Sequence, residues 1–108
     1  MANAKKSIVN VCNKRIQITD EVTNIFKVLA DKTRIEILFA LQQKSLCVGE
    51  LVDILGLSQS LISHQLKVLR DNNIVSTNRL GNKIYYALAD EHITDLLNVA
   101  RAHAREKV

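Results

Sequence analysis

Proline is absent from the 108 residues, and glycine occurs three times, at Gly49, Gly56 and Gly81. So few breakers exclude a loop-rich or low-complexity chain and imply a mostly helical one with short connections. Two cysteines, Cys12 and Cys47, are too few for a disulfide framework and read as reduced thiols. No run of about 18 apolar residues is available to cross a bilayer. No charged-then-apolar leader opens the chain. The expectation is a soluble, cytoplasmic protein with no membrane partner. No nucleophile–base pair and no phosphate-binding loop stands out, which argues against an enzyme.

What is present is one domain's worth of apolar residues, 47%, and a net charge of +4. A basic balance permits nucleic-acid binding without requiring it. Residues 1–18 read as an N-terminal arm, and 19–108 as the folded domain. Thr19 or Asp20 is expected to cap a first helix with Val22, Ile25, Phe26 and Leu29 inward. Asp31 is expected to start a second, with Ile35, Leu38, Phe39 and Leu41 inward.

Cys47 to Leu55 then reads as a short helix, Gly56 as its left-handed end, and Ser58 as the cap of a longer helix running to about Asp71. Short helix, glycine turn and longer helix form the helix-turn-helix pattern. Leu61, Ile62, Leu66, Val68 and Leu69 make the packed side of the longer helix. Gln59, Ser60, Ser63, His64 and Lys67 make the other side, suited to base edges and phosphates in a major groove. No acidic residue occurs from Gly56 to Arg70, whereas a merely solvated helix face usually mixes both signs.

After Asn72-Asn73 the period falls to two. Ile74–Leu80 and Lys83–Leu88 are separated only by Gly81-Asn82, a strong hairpin signal. A hairpin after a recognition helix is a wing, and Arg79, Asn82 and Lys83 would meet the DNA backbone or minor groove. The fold class is therefore mainly α with a β-hairpin: a winged helix-turn-helix of four helices, two strands and a final helix.

That last stretch, Asp90 to Glu106, is amphipathic, with Ile93, Leu96, Leu97, Ala100 and Ala104 at helical spacing. His92 and His103 share a face but lie about 16 Å apart along the axis, too far for one metal ion. Pairing the helix antiparallel with a second copy puts His92 opposite His103. Asp90 and His92 of one chain, with His103 and Glu106 of the other, make a tetrahedral N/O shell, twice per homodimer. Two imidazoles and two carboxylates suit Zn(II), with Co(II) as surrogate.

DKTRIEIL, CVGEL, LSQSLISHQLKVLR, GNKIYYAL and the D-x-H…H-x-x-E ending together resemble the ArsR/SmtB family of metal-responsive repressors, over roughly residues 19–106. The ending matches the subgroup with a zinc site on the final helix. The resemblance implies a homodimer that represses a metal-efflux or metal-storage promoter and leaves its operator, an imperfect palindrome, when zinc binds. It also implies that no small organic ligand is needed. His103 is expected to bond a backbone carbonyl near the end of the helix-turn-helix unit, linking metal to DNA.

The family has a second kind of site, built from cysteines. Cys47, Cys12 and Glu50 supply a partial set for a metal or redox site, but Gly49 stands where the cadmium/lead sensors carry a second thiol. Cys47 reads better as a small buried hydrophobe. The remaining rivals are a thiol redox or persulfide sensor on the same fold, a cadmium/lead sensor with a partial thiolate site, and a DNA-binding protein indifferent to zinc.

Overall fold

A computed structural model describes residues 2–106. Its first helix, α1, runs unbroken from Ala2 to Leu29. The cap expected at Thr19 or Asp20 is not made. Instead the Thr19 hydroxyl donates back to the Arg15 carbonyl at 2.8 Å, the way a threonine is accommodated inside a helix. With no glycine or proline before residue 49, nothing interrupts the helix, so the segment read as an arm is helical from Ala2 on. Met1 and residues 107–108 lie outside the described residues. Among the described residues, the C-terminal end of α1 meets the body: Val28 is buried, and Ile25 and Leu29 pack against the core. Val11, Ile18 and Val22 stay exposed, and at about 100° per residue they share one strip.

The next helix, α2 (Lys32–Gln43), starts where Asp31 accepts the Arg34 N–H at 3.0 Å, as an N-cap should. Ile37, Leu38 and Leu41 are its buried residues. Ile35 and Phe39, expected inward, are half-buried at the edge of the core. A two-residue strand, β1 (Leu46–Cys47), follows and is the one element the sequence pattern does not announce. Then comes α3 (Val48–Leu55), closed by Gly56 at φ +66, whose N–H reaches the Val52 carbonyl at 2.9 Å. Glycine takes that left-handed conformation without the Cβ clash.

Ser58 caps α4 (Gln59–Asp71) by accepting the Leu61 N–H at 3.2 Å. Ile62, Leu66 and Leu69 are fully buried. Each such side chain contributes about 1.5–3 kcal/mol, so α4 is seated firmly. Asn73, with φ +59, turns the chain into β2 (Val75–Leu80) and β3 (Lys83–Leu88). Leu80 pairs with Lys83 and Val75 with Leu88, so Gly81-Asn82 is the whole loop. The antiparallel sheet has the order β1-β3-β2. Asp90 then caps α5 (Glu91–Glu106), its Oδ1 accepting the His92 N–H at 2.9 Å and the Ile93 N–H at 3.3 Å. Among the described residues, no helix is long and apolar enough to cross a membrane.

Candidate functional site

The polar face of α4 is where the sequence placed it. Gln59, Ser60, Ser63, His64 and Lys67 are all exposed, and the core face is opposite. Lys67 is not free: its Nζ lies 3.1 Å from Asp71 Oδ2, one turn on. Acid is thus missing along the helix but present at its end.

One residue of α4 was not anticipated. Gln65 is polar, yet 8% exposed. Its Oε1 accepts from Arg34 Nη1 at 2.8 Å, and its Nε2 reaches Asp31 at 3.5 Å. The same guanidinium donates from Nε to the Val28 carbonyl at 2.7 Å. A buried amide satisfied in this way fixes α4 against the start of α2 and the end of α1.

The wing carries Arg79, Asn82 and Lys83 at its exposed tip, together with exposed Leu80 and Ile84. Lys83 also leans back toward the start of α3. It lines a cleft of about 410 Å³ with Cys47, Glu50 and Gln59. There Glu50 accepts the Cys47 N–H at 3.1 Å and faces Lys44 at 3.9 Å. The Cys47 N–H bond is the main reason the Glu50 carboxyl sits below the usual value of 4.5. The Cys47 thiol and the charges of Lys44 and Lys83 add to it, against a small desolvation. Glu50 thereby closes a capping box on α3. Cys47 is half-buried and Cys12 exposed, and both thiols are free. Among the described residues, Cys12, Cys47 and Glu50 do not form a metal-holding group within one chain.

Asp90, His92, His103 and Glu106 are all exposed on or beside α5. His92 Nδ1 stands 3.4 Å from Asp90 Oδ1. Both capping bonds use that oxygen, which leaves Oδ2 for another partner. No group of three ligands forms within one chain among the described residues. The four donors fit zinc only as two half-sites to be completed from elsewhere.

The surface between the half-sites is apolar. Ile93 and Leu97 are buried, but Leu96 and Val99, 37% and 68% exposed, face outward. Ala100 and Ala104, expected inward, are exposed as well. At about 100° per residue, His92, Leu96, Val99 and His103 fall on a strip some 60° wide.

Residues 31–77 match the family model described as bacterial regulatory protein, arsR family. The chain is 36% identical over 86 residues to the transcriptional repressor SmtB homolog of Synechocystis sp., a match covering 80% of this chain and 65% of that protein. It thus spans just under two thirds of that relative's length. It is also 36% identical over 87 residues to the cadmium resistance transcriptional regulatory protein CadC homolog of Staphylococcus aureus, covering 80% of this chain and 72% of that one. The fold superposes on the homodimeric winged helix-turn-helix DNA-binding domain of Mb0332 from Mycobacterium bovis with a TM-score of 0.80. That match has 27% identity and covers 85% of each chain. Fold, recognition helix and sequence agree: the chain belongs to the ArsR family of bacterial regulatory proteins.

Proposed function

We propose that the protein is a zinc-responsive transcriptional repressor, a homodimer that holds operator DNA when metal-free and releases it when zinc binds. The observation that carries this reading is the outer strip of α5. Two imidazoles stand at its ends with exposed Leu96 and Val99 between them. Water is a poor neighbour for that strip, and a second copy is a good one. An antiparallel copy buries the apolar middle and brings Asp90 and His92 to His103 and Glu106 of the partner. These four residues would hold zinc, which would cross-link the two chains; Co(II) suits the same donors.

On the DNA side, Gln59, Ser60, Ser63 and His64 face the bases, and Lys67, Arg79, Asn82 and Lys83 the phosphates. Two such heads on a two-fold axis fit half-sites about 34–36 Å apart, hence an imperfect palindrome. Reciprocity requires DNA to weaken zinc binding by the factor that zinc weakens DNA binding. The relatives support a metal response without fixing the metal, since one is a repressor SmtB homolog and another a cadmium resistance regulator.

The test is a titration of labelled operator with metal-free protein, repeated with zinc. Release by zinc supports the reading, and equal affinity in both states overturns it. A response to oxidant or persulfide that Cys47→Ser abolishes, with none to zinc, assigns the fold to thiol sensing.

A further inference from the structure

Among the described residues, helices α5 and α4 share no side-chain hydrogen bond with each other, yet both are bonded to opposite ends of α2. Near the C-terminal end of α2, Gln42 Nε2 donates to Asn98 Oδ1 at 3.0 Å, and Gln42 Oε1 accepts from Arg101 Nη2 at 2.9 Å. One amide thus grips two successive turns of α5. The Arg101 guanidinium also lies 4.2 Å over the Phe39 ring, again on α2. Among the described residues, every side-chain hydrogen bond that leaves α5 for another element ends on Gln42. Near the N-terminal end of α2, Arg34 holds the buried Gln65 of α4 at 2.8 Å.

Between the two grips lie Ile37, Leu38 and Leu41, all buried in the core. That stretch of α2 cannot bend or slide without opening packed contacts, so it moves as a unit. We propose that α2 is the strut between metal helix and recognition helix, with Gln42 and Arg34 as the positioning residues at its ends. A shift of α5 on joining its partner pulls Gln42 through Asn98 and Arg101. The same rigid helix then re-aims α4 through Arg34 and Gln65. Gln42 touches neither the proposed ligands nor the proposed DNA face. This inference rests on the zinc-responsive reading.

Gln42→Met tests it, keeping length and packing while removing both bonds. Asn98→Ala is a second variant at an exposed position. Three quantities are measured for each: operator affinity without metal, zinc affinity without DNA, and operator affinity with zinc. The Gln65 side-chain amide signal is followed by NMR as zinc is added. A strut predicts that both affinities taken alone stay within about threefold, while the zinc-induced loss of operator affinity shrinks by about tenfold or more, within the usual 5–150-fold span of couplings. It also predicts that the zinc-induced shift of the Gln65 amide shrinks. Wild-type operator release with full release retained in both variants overturns the strut, whatever happens to melting temperature. No zinc effect in the wild type overturns the functional reading instead, so the two failures are told apart.

Discussion

Arg34 and Gln65, 31 positions apart in sequence, are joined by a 2.8 Å hydrogen bond from guanidinium to amide oxygen at the edge of the core. Losing one partner strands the other. Arg34→Ala leaves Gln65 Oε1 and the Val28 carbonyl without their donor, and each stranded buried group costs about 1–3 kcal/mol. Gln65→Leu strands only one nitrogen of Arg34, which keeps the Val28 carbonyl at 2.7 Å and Asp31 at 3.9 Å, and should cost less. Chemical denaturation of the two variants checks the order, and equal losses would show that the bond contributes little.

The proposed DNA contacts divide by type. Arg79→Ala should weaken binding to every sequence and lower the salt dependence, the log–log slope falling by about 1. Gln59→Ala should instead relax preference at one base pair, by about 1–3 kcal/mol. Lys67→Ala should matter less than Arg79→Ala, because Lys67 already faces Asp71 at 3.1 Å. Anisotropy titrations at several salt concentrations, on cognate and scrambled duplexes, separate these outcomes.

Zinc stoichiometry locates the metal. Two ions per dimer are expected in the wild type and in the Cys12→Ser/Cys47→Ser double variant, and none bound tightly in His92→Ala/His103→Ala. Ions lost with the thiols and kept without the imidazoles would move the site to Cys47 and Glu50.

Acid should weaken α3 through Glu50. Its carboxyl is held below 4.5 chiefly by the Cys47 N–H. A depressed folded-state pKa contributes stability that is complete above the unfolded value and lost as pH falls through the folded one. The difference between wild type and Glu50→Gln should therefore be full at neutral pH and shrink below about pH 4.5. Thermal melts across that range read it, and a difference independent of pH would exclude the carboxylate.

Gly56→Ala places a side chain at φ +66 with open space around its Cβ, so the cost is backbone strain alone, about 1 kcal/mol. Ser58→Ala removes the α4 cap at a similar cost. Both read as a fall in melting temperature.

Much of this was legible in the residues because local chemistry decided it. Asp31, Gly56, Ser58 and the Gly81-Asn82 loop each act within a few positions, and each does in space what its type predicts. The misses are of another kind. Thr19-Asp20 looked like a helix start, but a cap signal inside an unbroken run of helix-compatible residues has nothing to stop. Leu46–Cys47 is too short to show a period and is a strand only because β3 runs beside it. Gln65 could not be placed, since its burial depends on an arginine 31 positions away, on another helix. On α5 the spacing gave the shared face of His92 and His103. It also put Leu96 on the inner side, and only packing shows that Ile93 and Leu97 fill the core without it.

The bare strip on α1 has a thermodynamic consequence. Val11, Ile18 and Val22 are 60%, 56% and 43% exposed on a helix whose C-terminal end packs on the core. If a second copy covers that strip, as the proposed homodimer allows, folding and association become a single equilibrium and the midpoint of heat denaturation climbs with protein concentration. Dilution alone would then loosen the molecule, before any metal or DNA is added.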